Sequence, residues 1–210
     1  MPIAVLYAGA PSMNTHVFPT NVYTSPVGKK TIIKSITINN NSSTDQSFTI
    51  RMAGYSIVYN HVIKPNDTII LPASGFVLLS NETLSVGNSS SLYIRVTGEV
   101  IDTSILLSPI VILRSTALTT SATGTQYRNT SNDVLIKSVS LCNITASPVA
   151  VSFYMGGFGI ISAKMINRYD TLTIPFLDQL LIKGDYVQAW AGVEGAIVPY
   201  VTGIEVVNNA

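Results

Sequence analysis

Few side chains in this sequence have the chemistry for catalysis. Its histidines are His16 and His61, and its single cysteine is Cys142. A Cys/His nucleophile pair would have to join Cys142 to a histidine in a distant part of the chain. A zinc site wants three or four clustered ligands, and these three residues lie at unrelated spacings. Cys142 sits in an alternating strand pattern, where a thiol packs as a small hydrophobe. Asp67 and Asp170 each precede a Thr that opens a strand, the position for an Asx turn in which the carboxylate holds its own backbone. Glu82 and Asp185 fall at loop tips and read as solvated turn residues. Acid pairs for glycoside hydrolysis need a cleft that holds them roughly 5–10 Å apart, which spacing along a chain does not establish. There is no glycine-rich phosphate loop and no Gly-x-Ser-x-Gly elbow. The residues therefore predict no catalytic site, no metal site and no cofactor: a protein that is not an enzyme.

Binding is the chemistry that remains. Trp190, Tyr186 and Tyr200 lie near the end of the chain, and Trp and Tyr are favoured interface anchors. They are the candidate contact patch; the competing reading has them closing the end of a core. Tyr7, Tyr55, Tyr59 and Tyr93 pose the same choice between inner and outer strand faces.

The elements that would carry such a patch follow from composition. Hydrophobic residues make up 47% of the chain and charged residues only 11%, against about 25% charged in ordinary soluble domains. Mean hydropathy is +0.39, yet no apolar run approaches the roughly 18 residues of a membrane helix. The surface must be largely hydroxyl and amide, with little charge to keep neighbouring molecules apart, which suits packing against partners. The 12 Lys and Arg are scattered, Lys29-Lys30 being the densest pair, and the net charge is +1. Neither a nucleic-acid partner nor a membrane is expected. The N-terminal stretch MPIAVLYAGAPSMNTHVF lacks the basic region and long apolar run of a secretory signal. Without that route, the Asn-x-Ser/Thr triplets at Asn40, Asn41, Asn66, Asn81, Asn88, Asn129 and Asn143 read as turn formers.

The most informative signal is internal. IKSITINN from Ile33 lies over IKSVSLCN from Ile136, and this offset of 103 residues runs ungapped to Val86 and Ala189. Within it, FTIRMAG (Phe48 to Gly54) meets VSFYMGG (Val151 to Gly157), and NDTIILP (Asn66 to Pro72) meets YDTLTIP (Tyr169 to Pro175). The 54 pairs contain 12 identities, and many others exchange one apolar or small polar residue for another. After a two-residue insertion, RVTGEV from Arg95 meets YVTGIEV from Tyr200. Such a register implies a duplicated unit, with two domains expected at 1–107 and 108–210. The seam falls near Ser108-Pro109, where SPIVIL restarts what MPIAVL began. The final hairpin differs between copies: AWAGVEGAIVPY (Ala189 to Tyr200) replaces VGNSSSLYI.

Each copy reads as about seven short strands. In the first they are Ile32 to Ile38, Phe48 to Met52, Ile57 to Ile63, Thr68 to Leu71, Phe76 to Leu79, Leu84 to Val86 and Leu92 to Val100. β-Branched residues dominate and turn signals recur every 8–12 residues. Alternation in the first of these strands would put Ile32, Lys34, Ile36 and Ile38 on one face. The fold class predicted is all-β: two tandem, similar antiparallel β-sandwiches of Ig-like or jelly-roll-like type.

The stretch VYTSPVGKKTIIKSITINNNSSTDQSFTIRM (Val22 to Met52), with PNDTIILPASGFVLLSNETLSV and RVTGEV after it, resembles a module of tailed-bacteriophage virion proteins. Those modules open on a Tyr-Thr-x-Pro-x-Gly-Lys-Thr phrase, run into an Ile-Lys-Ser-Ile strand ending in Asn, and close on a strand ending in Gly-Val/Glu. The opening phrase stands here from Tyr23 to Thr31, with Val27 between Pro26 and Gly28. In the second copy it has become QYRNTSNDVLIKS, without the Pro or the Gly-Lys. The resemblance implies a non-enzymatic β-sandwich structural protein at the tail, neck or capsid surface, assembled in the host bacterial cytoplasm. It also implies contacts with itself and with other virion proteins. The alternative is a carbohydrate-binding or adhesion module that uses the second copy's aromatics on a host-surface glycan.

Overall fold

The computed structural model describes residues 3–12, 19–88, 92–103, 109–115, 117–121 and 127–206. Among these the chain is all-β, and it divides into two compact units, Met1–Ile105 and Leu106–Ala210.

Unit 1 holds β1 (Ala4–Gly9), β2 (Thr20–Thr24), β3 (Lys29–Asn40), β4 (Gln46–Met52), β5 (Tyr55–Ile63), β6 (Thr68–Leu78), β7 (Thr83–Asn88) and β8 (Leu92–Asp102). Unit 2 holds β9 (Pro109–Arg114), β10 (Tyr127–Arg128), β11 (Asp133–Asn143), β12 (Val149–Met155), β13 (Phe158–Ile166), β14 (Thr171–Leu181), β15 (Tyr186–Ala191) and β16 (Ile197–Val206). The bounds of β12 to β15 are those of β4 to β7 moved by 103 residues.

Each unit has two four-stranded antiparallel sheets. Unit 1 is ordered β1-β8-β3-β6 and β2-β7-β4-β5; unit 2 is ordered β9-β16-β11-β14 and β10-β15-β12-β13. The second wiring is the first with eight added to every strand number. In unit 2, residues from both sheets meet in one buried apolar cluster that runs from Ile112 through Val139, Phe153 and Val187 to Val201.

The expected strands are present, with two differences of detail. Thr68–Leu71 and Phe76–Leu79 belong to one strand, β6. Pro72 does not break it, because β6 is a sheet edge and a residue there need not donate to a further neighbour. β1 and β2 lie outside the seven strands inferred. The simple alternation in β3 is also corrected. A bulge between Ile33 and Ser35 shifts the pleat by one, so Ile33, Ile36 and Ile38 are fully buried while Ile32 is not. β11 repeats this bulge between Ile136 and Ser138. Opposite the bulges stand Gly98 and Gly203. A Cβ on Gly98 would lie 2.6 Å from the Ile32 carbonyl oxygen, and one on Gly203 2.7 Å from that of Leu135. That close approach accounts for the Thr-Gly held in both copies.

Turns follow the same offset. Left-handed backbone occurs at the pairs 53/156, 54/157, 60/163, 66/169, 75/178 and 81/184. The opening phrase of unit 1 turns at Gly28 (φ 71°), and the buried Ser25 hydroxyl lies 2.9 Å from that of Thr31. Unit 2 lacks that Pro-x-Gly. There Asn129, which is buried, donates its side-chain amide to the carbonyls of Asn132 (2.7 Å) and Leu181 (3.1 Å).

Candidate functional site

The residues with catalytic potential are scattered or committed to structure. His16 lies outside the described residues. His61 is half-buried on β5, with its ring edge-on to Phe48 at 5.6 Å. Cys142 is wholly buried on β11. Among the described residues, no group of three or more His, Cys, Asp or Glu could hold a metal ion. Asp67 and Asp170 accept from the amides of Thr68 (2.7 Å) and Thr171 (2.8 Å), so each holds its own backbone, though at the next residue and not two residues on as in an Asx turn. Glu82 does more than meet solvent: its carboxylate folds back to accept from the Leu79 amide at 2.8 Å. Asp185 stands at a shallow depression of about 270 Å³ beside Met155, Gly156, Phe158, Gln179 and Leu180.

The Asn-x-Ser/Thr positions divide by burial. Asn40, Asn88, Asn129 and Asn143 are all buried, which leaves no room for a glycan. Asn40 and Asn143 do the same work in the two units. The Asn40 amide donates to the carbonyls of Thr44, Ile63 and Lys64, and its side-chain oxygen accepts from the Ser42 amide and hydroxyl. The Asn143 amide donates to those of Ser147, Ile166 and Asn167, and its oxygen accepts from Thr145. Each asparagine ties the end of a long strand to two separate turns.

The aromatic candidates part company. Tyr186, Gln188 and Trp190 alternate on β15 with Val187, Ala189 and Ala191, which are buried in the core cluster. The first three therefore share the outer face of the β10-β15-β12-β13 sheet. Tyr200 is elsewhere: it is completely buried on β16, in the other sheet, so the expected three-residue patch is not assembled. In its place the sheet register brings Tyr154 of β12, opposite Gln188 and diagonal to Trp190. The Tyr154 and Trp190 rings stack, with centroids 4.9 Å apart and planes at 28°.

On the far side of Tyr154 the neighbouring strand carries Gly159. A Cβ there would lie 3.1 Å from the tyrosine ring carbon Cζ and 2.9 Å from the Ser162 hydroxyl, so glycine leaves the space that the ring occupies. The Tyr154 hydroxyl is 3.4 Å from that of Ser162. Ser152 accepts the Ala163 amide at 3.0 Å, where β13 bulges through a left-handed residue. The Tyr186 hydroxyl reaches the β12–β13 turn, 3.6 Å from where a Gly157 Cβ would stand. At the sheet edge Arg128, paired with Tyr186, donates to the Gly184 carbonyl at 3.3 Å. Tyr127, next to it, packs towards the core; burial raises its phenol pKa above the usual 10.0 and the Glu205 carboxylate adds to the rise.

Unit 1 repeats the backbone of this sheet, Thr49 accepting the Asn60 amide at 2.9 Å as Ser152 does that of Ala163, but not its aromatic residues. At an offset of 103, Tyr154, Gly159, Tyr186, Gln188 and Trp190 correspond to Arg51, Ser56, Thr83, Ser85 and Gly87. Tyr154 is the residue that sequence reasoning missed. Only the adjacency of β12 and β15 shows that it meets Trp190.

Fold and site together describe an all-β chain of two like-wired units, one of which bears an aromatic outer face. No protein-family model matches the chain, and no curated protein matches it. Among solved structures it is similar to the crystal structure of the major capsid protein P2 from Bacteriophage PM2. The identity is 11%, the coverage 99% of each chain and the TM-score 0.38. At that score the likeness assigns neither a fold nor a role.

Proposed function

We propose that this chain is a non-enzymatic structural protein of a bacteriophage virion, acting in assembly or decoration at the tail, neck or capsid surface. It is built from two tandem β-sandwich domains, 1–107 and 108–210, each a jelly roll. The doubled strand order carries this reading. Eight strands that alternate between two sheets in the orders 1-8-3-6 and 2-7-4-5 have the connectivity of a jelly roll, an architecture of viral capsid and lectin domains. That step is a fold-level analogy. Two features of the chain add to it: the phage-module phrase from Tyr23 to Thr31, and a surface so poor in charge that neighbouring copies repel little. The interior of unit 2 supports a scaffold in preference to an active-site cavity, since its cluster is aliphatic chains and Phe153.

On a symmetric particle such a protein is presented many times, so weak contacts add through avidity. Size-exclusion chromatography with light scattering, together with mixing against particles that lack the protein, tests the proposal. Self-association or particle binding is expected. A strict monomer that ignores the particle would overturn it.

A further inference from the structure

We infer that the outer face of β12, β13 and β15 in unit 2 is a binding site for an uncharged pyranose, centred on the stacked Tyr154–Trp190 pair. The inference stands apart from the virion role, which needs no ligand.

The sister unit is the reason to read these rings as more than packing. The two units share their strand bounds and sheet order, yet unit 1 completes the same sheet with Arg51 and Gly87 where unit 2 has Tyr154 and Trp190. The fold does not require the rings. Trp190 is the only tryptophan in the chain, and it lies on the solvent side of the sheet rather than in the core cluster. Each ring of this half-buried pair covers one face of the other and Tyr154 has Gly159 beside it on its far side, so the shelf is the face of Trp190 turned away from Tyr154. The C–H face of a sugar ring is apolar and slightly positive, and it matches the negative face of an aromatic ring.

The rim supplies what sugar hydroxyls need. Around the shelf stand the Tyr154 and Tyr186 phenols, the Gln188 amide and the exposed Ser162 hydroxyl, groups that both donate and accept. Tyr154, Ser152, Gln188 and Trp190 bring no charge, and the Arg128 guanidinium at the edge is turned to the Gly184 carbonyl. An anionic ligand would find no cation at the centre of the shelf. A neutral one loses nothing by that.

Because Trp190 is unique, its fluorescence reports on the shelf alone. The full chain would be applied to an array of neutral gluco-, galacto- and N-acetylglucosamine-containing oligosaccharides, and hits titrated by tryptophan emission. Binding with a shift in emission is expected. By calorimetry, Trp190→Ala and Tyr154→Ala should weaken binding at least tenfold, and Gln188→Ala severalfold. Arg51→Ala, at the matching place in unit 1, should leave it unchanged. Should Trp190→Ala misfold, Trp190→Phe keeps a ring and is expected to retain part of the affinity, while Gln188→Ala remains informative. A blank array at millimolar sugar overturns the inference, as does binding that survives loss of both rings. Either result leaves the structural reading where it stands, since that is decided by oligomerisation and particle binding.

Discussion

At the scale of single residues, Asn40 and Asn143 each hold five side-chain hydrogen bonds. Both are wholly buried, and each serves two turns at once through three donated bonds and two accepted ones. A buried carbonyl left without its donor costs about 1–3 kcal/mol. Asn143→Ala removes a donor from three carbonyls, of which that of Asn167 keeps the Asp170 amide, and the summed loss is expected to be about 3 kcal/mol. Asn143→Asp is a sharper test. The carboxylate keeps the acceptor for Thr145 but turns an oxygen towards three carbonyl oxygens, so it should be worse than alanine at neutral pH. Urea denaturation of the three proteins checks the order. An aspartate variant as stable as wild type would mean that the amide does not hold these turns.

At the scale of elements, the bulge in the central strand decides which side chains reach the core. The glycine opposite makes the bulge possible. Gly203→Ala would drive a Cβ to within 2.7 Å of the Leu135 carbonyl, which the sheet fixes, and 3.0 Å of the Val134 Cγ1 methyl. Overpacking of that kind costs about 1–3 kcal/mol, and the rigid backbone neighbour places this case near the upper end. Gly192 provides the contrast. A Cβ there meets nothing nearer than 3.6 Å and its φ is ordinary, so Gly192→Ala should change stability by less than about 1 kcal/mol. Chemical denaturation of the pair separates a packing role from a generic glycine effect. The bulge also marks where sequence reading stops. Strand positions, turn residues and the 103-residue offset were legible, because they rest on local propensity and on comparing the chain with itself. Ile32 and Ile33 could not be assigned to faces from alternation, since a single extra residue at Lys34 reverses the pleat. Pro72 fell between two expected strands because its tolerance within one depends on β6 being an edge. Tyr200 and Trp190 looked like neighbours in sequence, but they sit in different sheets, and Tyr154 joined Trp190 through a pairing of strands that no local pattern encodes.

At the scale of the whole molecule, the question is whether each copy owns enough core to stand alone. In unit 2 the answer can be read from the cluster itself. It begins at Ile112, ends at Val201 and draws on β9, β11, β12, β13, β14, β15 and β16. A domain of about 100 residues with a single apolar core usually unfolds as one cooperative unit. A fragment of residues 108–210 keeps every member of that cluster and every strand of both its sheets. It is therefore expected to fold and to melt in one transition, with Trp190 emission and far-UV circular dichroism changing together. Cys142 is wholly buried in the full chain. The thiol then serves as a probe: in the native full chain it should resist a thiol reagent until unfolding, because reaction needs access to the thiolate. A fragment that melts without cooperativity, or with its two signals separated, would show that the second copy is not a domain in its own right.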